Sequence, residues 1–235
     1  MRLHRFYVPQ PLGEEVVIED VSTIKQWLKV FRYISGDFVI LFNGDGVDYT
    51  YTLMSVTQKS CTLSYAKHSP LSIPPRKTTL YLSLIKKDLF ELVVQKATEC
   101  GITEIVPLVS DHTERKNIDL KRLKSISIEA SELSGRFNIP IIHDTITLRE
   151  VVATFKKENL PSSRILVASL YGTAFEHTHL QESASSCSFL IGPEGGWSKE
   201  EEELFKKENY TLVSLGRTVL RAETAGIICA YLICN

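Results

Sequence analysis

The residues most able to do chemistry lie in two glycine-containing segments near the C-terminal end. The first reads Phe189-Leu190-Ile191-Gly192-Pro193-Glu194-Gly195-Gly196-Trp197-Ser198, the second Leu215-Gly216-Arg217-Thr218-Val219-Leu220-Arg221-Ala222-Glu223-Thr224-Ala225. Each begins as an apolar run of strand character, breaks at a glycine and leads into a helical pattern. Two such loops meet at one edge of a parallel sheet, where α/β proteins bind ligands. Gly192, Gly195 and Gly196 let the backbone approach a ligand without a side-chain clash. Glu194 places a carboxylate at the mouth, and Arg221 and Glu223 open the last helix with a cation and an anion. The same residues also suit plainer roles. The glycines could serve only a strand–turn–helix connection, Arg221 and Glu223 a surface ion pair of little energetic weight, and Thr224 a capping hydroxyl.

Phosphate-binding chemistry fits poorly. The chain has no G-x-G-x-x-G after an early strand and no G-x-x-x-x-G-K-[ST], the patterns that cradle phosphates. Glu194 inside the first loop would repel a pyrophosphate. A cofactor that carries positive charge, or is held mainly through adenine and ribose, suits the loop better. The apolar Val219-Leu220 pair turns the second loop back toward the core, where amides and carbonyls could form an adenine pocket.

The elements that must position these loops follow from the hydrophobic pattern. Ser69–Lys77 carries prolines at 70, 74 and 75, which neither a helix nor a central strand tolerates. It is expected to divide residues 1–70 from residues 79–235, with 71–78 as linker. Before it, Asp37–Phe42, Tyr49–Leu53 and Cys61–Tyr65 read as strands, with Asn43-Gly44-Asp45-Gly46 as a turn. A helix over Val21–Val30 completes what looks like a small barrel. After it, strands at Leu80–Ile85, Ile105–Val109, Ile139–His143, 164–170, Cys187–Ile191 and Thr211–Leu215 alternate with helices. Those helices are a run from Phe90 to Gly101, then Leu120–Leu133, Leu148–Lys157, Lys199–Lys207 and Ala222–Ile233. Ser198 and Glu201 make a capping box for the fourth of them. Such alternation predicts a mostly parallel sheet with helices on both faces.

Composition narrows the classes. A net charge of −1 over 235 residues leaves no global attraction for nucleic acid, so any RNA surface must be a local patch. The five cysteines are scattered without a C-x-x-C pair, which argues against a metal and for free thiols in a reducing compartment. His112, His143, His177 and His179 show no ligand spacing. The N-terminal residues lack a signal-peptide pattern and no apolar run reaches membrane-spanning length. A cytoplasmic protein without metal or membrane contact is expected.

The two loops, taken together, resemble the SPOUT class of RNA methyltransferases, and the chain as a whole is similar to the ribosomal RNA small subunit methyltransferase E family. The resemblance spans nearly the full length. It rests on Arg2-Leu3-His4-Arg5-Phe6-Tyr7, Gln95-Lys96-Ala97-Thr98-Glu99-Cys100-Gly101, Glu132-Leu133-Ser134-Gly135-Arg136 with Pro140, Leu190–Gly196 and Leu215–Ala225, in that order. It implies an α/β SPOUT domain whose C-terminal chain forms a trefoil knot, preceded by a PUA-like β-barrel, working as a homodimer. Periodicity alone would not suggest a knot. The chain departs from the family pattern at Thr218, Gln26 and Lys87-Asp88-Leu89, which bears on RNA contacts more than on the cofactor loops.

The implied reaction is methyl transfer from S-adenosylmethionine to N3 of one uridine in 16S ribosomal RNA of the small subunit. The implied cofactor residues are Leu170, Gly172, Ile191, Gly192, Glu194, Gly195, Gly196, Leu215, Gly216, Leu220, Thr224 and Ala225. Arg221 is expected to stabilise the anionic base and Glu223 to orient it or assist proton removal. Arg2, Arg5, Arg32, Lys96 and Arg136 are expected RNA contacts, although each also suits a solvated surface charge. Two alternatives remain. One is a SPOUT methyltransferase for another ribosomal or transfer RNA site, the other a non-catalytic RNA-binding or ribosome-assembly protein.

Overall fold

The structure is a computed structural model, and it describes residues 3–71, 76–114, 117–136, 138–158, 161, 165–180 and 185–235. The chain divides into two compact units. The first comprises Met1–Ile73 with Ser131–Asn138, and the second comprises Pro74–Ala130 with Ile139–Asn235.

The first unit is a five-stranded mixed sheet. Its strands are β1 (Arg5–Tyr7), β2 (Glu15–Ile18), β3 (Phe38–Phe42), β4 (Val47–Val56) and β5 (Cys61–Pro70), in the order β1-β3-β4-β5-β2. Only β1 and β3 run parallel; the other pairs are antiparallel. The Asn43–Gly46 turn forms as the sequence suggests. Gly44 and Gly46 take φ of 92° and 89°, and the Asn43 side chain accepts a bond from Asp45 N at 3.1 Å. The short β1 and β2 were not evident from alternation because each has too few residues to establish a period. The helix expected over residues 21–30 is instead α1 (Val21–Gln26) running into a π-helical turn, Trp27–Phe31, ended by Arg32 at φ 56°. That wider turn accompanies fully buried Trp27 beneath Phe6, while Phe31 stacks on Tyr33.

Arg5, expected from the sequence at the RNA surface, lies in the interior of this unit. Its side chain is 6% exposed and pairs with Asp48 at 2.7 Å. The guanidinium also donates to the carbonyls of Ser131 and Arg136 and lies 4.2 Å over the Phe42 ring. Its Nε, Nη1 and Nη2 each donate to a partner inside the unit, which ties the guanidinium to the protein.

The second unit is built on a seven-stranded sheet in which every pair is parallel. Its strands are β6 (Lys77–Ser83), β7 (Glu104–Val109), β8 (Ile141–Ile142), β9 (Ile146–Thr147), β10 (Ile165–Ala174), β11 (Ser186–Ile191) and β12 (Thr211–Ser214). The order is β12-β10-β11-β6-β7-β8, with β9 beside β7. The helices are α2 (Lys87–Cys100), α3 (Leu120–Ser134, whose residues from Ser131 on belong to the first unit), α4 (Leu148–Lys157), α5 (Lys199–Lys207) and α6 (Ala222–Cys234). A parallel sheet is buried on both faces, which accounts for its nearly continuous apolar strands. Period-2 alternation sorts one strand between two cores. Phe189 and Ile191 share a cluster with Phe90 and Val93 of α2 and Ala230 and Ile233 of α6. Leu190 shares the other with Val151 and Phe155 of α4 and Phe205 of α5.

Local signals set the helix ends. Ser198 and Glu201 form the expected capping box at α5, Thr147 and Glu150 form a second at α4, and Gly101 closes α2 at φ 105°. At α6 the N-cap is Arg221, whose side chain makes no capping bond, so Thr224 does not cap that helix. No helix among the described residues is long and apolar enough to cross a membrane.

Candidate cofactor cleft at the edge of the parallel sheet

Three adjacent strands, β12, β10 and β11, end side by side, and the chain leaving their carboxyl ends encloses a cleft of about 710 Å³ within the second unit. Of the residues expected from sequence, Leu170, Ile191, Gly192, Glu194, Gly195, Gly196, Leu215, Leu220, Arg221, Glu223 and Ala225 line it. Segments some twenty residues apart in sequence meet because parallel strands place their loops on one side.

Gly172, Gly216 and Thr224 do not line the cleft. Gly172 has a packing role. A Cβ there would lie 2.5 Å from the backbone of Leu212 and Val213. The glycine therefore permits β10, whose register shifts between Ala168 and Thr173, to lie against β12. Gly216 serves the turn, at φ 142°. Thr224 is exposed on α6.

Trp197 is the residue whose role the sequence did not disclose. Its Nε1 donates to the carbonyl of Ala168 at 2.9 Å, joining the first loop to β10. Its ring meets Phe205 edge-on at 5.0 Å. Gly192 sits above that ring; a Cβ at 192 would come within 3.2 Å of Trp197 Cε2. Thus Gly192 is needed for the approach of an indole as well as for access to the cleft. Ser169, Tyr171 and the departure position Thr218 also line the wall. No motif marks them, because their place depends on where β10 and β12 end.

The charges at the cleft are arranged asymmetrically. Glu223 is 11% exposed, whereas Arg221 is 86% exposed and 4.0 Å from it. The carboxylate is thus part of the wall and the guanidinium reaches outward. Glu194 and Glu202 add carboxylates to the lining, and Lys86 contributes the other cation. Behind the first loop, Glu201 is buried and accepts backbone bonds from Ser198 and Asp111 at 2.8 and 2.9 Å. Burial raises its pKa above the ordinary carboxylate value, against the lowering effect of those two bonds.

The remaining RNA candidates are distributed differently. Arg2 lies outside the described residues. Arg32 is exposed in the first unit. Lys96 lies on α2, outside the cleft lining, and pairs with Glu99 at 2.8 Å. Arg136 donates to Asn138 at 2.9 Å. Among the described residues no group of His, Cys, Asp or Glu could hold a metal ion.

Comparison with known proteins agrees with this architecture. Residues 72–234 match the family model of an RNA methyltransferase domain. A Rickettsia conorii protein named ribosomal RNA small subunit methyltransferase E is 32% identical, the match covering 97% of this chain and 93% of that protein. A Legionella pneumophila protein, solved in complex with the bound cofactor SAM, is 26% identical and superposes with a TM-score of 0.84, covering 99% and 97% of the two chains. The ribosomal RNA small subunit methyltransferase E of Neisseria gonorrhoeae, bound to S-adenosyl methionine, is also 26% identical, with a TM-score of 0.82 and coverage of 97% and 95%. With the model matched across the whole parallel-sheet unit and a relative matched along nearly the entire chain, this protein belongs to the RNA methyltransferases, in the ribosomal RNA small subunit methyltransferase E family.

Proposed function

We propose that this chain transfers the methyl group of S-adenosylmethionine to N3 of a specific uridine in 16S ribosomal RNA of the small subunit. The observation that carries the proposal is the cleft itself, where the glycine loop and an outward-reaching Arg221 face the same space.

The lining fits the cofactor. Leu170, Ile191, Leu215 and Leu220 offer apolar surface for an adenine. Glu194, Glu202 and Glu223 supply negative charge for a ligand bearing a sulfonium and an ammonium. The close approach at Gly192 leaves backbone, not side chain, at the cleft wall. When bound, S-adenosylmethionine supplies a methyl group already activated by its sulfonium. The protein's task is then to hold both reactants in line and exclude water.

Uridine N3 carries a proton at neutral pH and is a poor nucleophile until that proton leaves. The charge then spreads to the two flanking carbonyl oxygens. Arg221, at the mouth, stabilises the charge developing on one of them, as a donor aimed at a forming anion does. Glu223, held in the wall 4.0 Å away, orients the guanidinium or takes part in removing the proton.

The finer features of the fold belong to the same reading. The five-stranded sheet serves as a PUA-like RNA-binding barrel over residues 1–70, with 71–78 as linker and 79–235 as the SPOUT domain. The C-terminal chain, including β12 and α6, forms a trefoil knot around the cleft. The working form is a cytoplasmic homodimer. Supporting the knot is the packing of α6 against α2, β6 and β11, which gathers the chain end onto the centre of the sheet.

The deciding experiment incubates the protein with methyl-labelled S-adenosylmethionine and 30S subunits that lack the modification, then maps the labelled nucleotide. Label at N3 of a single 16S uridine is expected. Label at another base, on a ribose or only on transfer RNA would replace the substrate assignment. Cofactor binding without label in any RNA would point to the non-catalytic alternative.

A further inference from the structure

We propose that His112, in the loop following β7, is a positioning residue that clamps the glycine loop from behind and so sets cofactor affinity. This inference rests on the reading of the cleft as an S-adenosylmethionine site. His112 Nδ1 lies 3.1 Å from the carbonyl oxygen of Gly195 and 3.2 Å from that of Gly196. Carbonyl oxygens only accept, so Nδ1 carries the proton and is shared between them.

The neighbouring glycines differ in what they are for. A Cβ at Gly195 would lie 3.1 Å from His112 Cβ, whereas one at Gly196 would meet nothing within 4 Å. Gly196 is required by its φ of 69°. The glycine at 195 makes room for the histidine.

His112 is itself held in place. Asp111 N donates to Glu201 at 2.9 Å, Ser198 Oγ donates to the Asp111 carboxylate at 2.6 Å, and Ser110 N donates to Thr113 Oγ1 at 2.9 Å. The first two bonds tie the β7 loop to the start of α5, and the third closes the loop on itself. The backbone on either side of His112 is therefore anchored, and its exposed imidazole reaches the two glycine carbonyls from that anchored loop. Because a peptide unit is planar, holding the Gly195 carbonyl also orients Gly196 N–H, which closes the turn onto Pro193 O at 2.9 Å.

Glycine loses more conformational freedom on ordering than any other residue. A Gly-Gly segment left free would have to order when a ligand binds, at the expense of affinity. The clamp orders it beforehand. His112 touches neither reactant in this scheme, so it affects how tightly the cofactor is held and not the transfer step.

The test compares His112→Ala and His112→Asn with the wild type, using S-adenosylmethionine in calorimetry and steady-state methylation of 30S subunits, with thermal midpoints recorded. Asparagine can place an amide N–H near the position of Nδ1. For His112→Ala the cofactor Kd and KM should rise about three- to tenfold, as expected for one lost hydrogen bond, with kcat at saturation within about twofold. His112→Asn should recover most of the affinity. A role in stability alone would lower the midpoint and leave Kd unchanged, and that result would overturn the proposal. So would an asparagine variant that binds no better than the alanine one. A wild-type protein that binds no S-adenosylmethionine would overturn the reading of the cleft itself.

Discussion

Replacing Arg221 with alanine should separate catalysis from folding and from cofactor binding. The guanidinium is 86% exposed, and its ion-pair partner Glu223 is 4.0 Å away. Exposed pairs of this kind contribute ~0–1 kcal/mol. At the N-cap of α6 it is the Arg221 backbone carbonyl that accepts a bond from Ala225 N, at 2.9 Å, and alanine preserves it. The melting temperature should therefore fall by no more than about 2–4 °C for a chain of this size. Arg221 is part of the lining, but its side chain is 86% exposed and reaches outward from it, so S-adenosylmethionine affinity should stay within about twofold. Removing a donor aimed at a developing anion typically lowers the rate by about 10²–10³-fold. That loss should appear in single-turnover methyl transfer at saturating cofactor and RNA, with Arg221→Lys retaining an intermediate rate. Calorimetry, thermal scanning and single-turnover labelling on one preparation make the three measurements. Near-wild-type turnover in the alanine variant would refute the reasoning. So would a loss of cofactor affinity large enough to explain the lower rate.

Three further outcomes follow from the packing and electrostatics. Gly172→Ala puts a methyl 2.5 Å from the Leu212–Val213 backbone and should destabilise the protein by about 3 kcal/mol or more, the upper range for overpacking. A urea midpoint like the wild type's would show that β10 and β12 can separate without cost. Arg5→Ala strands Asp48 and two carbonyl acceptors and should lower stability by about 3–5 kcal/mol, as when a buried pair loses one partner; loss of RNA affinity with unchanged stability would restore Arg5 to the RNA surface. Glu201 has a pKa raised above its ordinary 4.5, chiefly by burial. The folded state thus keeps a proton that the unfolded chain releases at lower pH. Its contribution to stability is present at or below about pH 4.5 and is lost as pH rises through the folded value. In urea titrations, wild-type stability should accordingly decline relative to Glu201→Gln over that interval, and a gap independent of pH would contradict the assignment.

Much of the second unit was legible because its signals are local. Helices α4 and α5 begin and end where the sequence places them, since each start is written in a capping box: Thr147 with Glu150, and Ser198 with Glu201. The strand before the first loop reads clearly because a strand buried on both faces ends here in the unbroken apolar run Phe189-Leu190-Ile191. The Asn43–Gly46 turn is likewise contained in four residues. The first unit was harder to read. Arg5 lies beside Phe6 and Tyr7 in an arrangement that suits base stacking, yet its partner Asp48 is more than forty positions away, beyond any periodicity argument. The helix over residues 21–30 became α1 and a π turn because buried Trp27 and the Phe31–Tyr33 stack outweigh regular helical spacing.

By itself the sequence determined the alternation of elements, the two glycine breaks and the chemical types available at them: a carboxylate in the first loop, an arginine and a glutamate in the second. These are properties of neighbouring residues. Tertiary structure decided what each glycine is for. Gly172 admits the β12 backbone, Gly192 admits the Trp197 ring, Gly195 admits His112, and Gly196 alone among them takes a positive φ. It likewise decided that Glu223 lies in the cleft wall while Arg221 reaches outward. Such roles depend on which distant atoms come within about 4 Å, the range of van der Waals contact. In a parallel sheet those neighbours come from strands far apart in the chain.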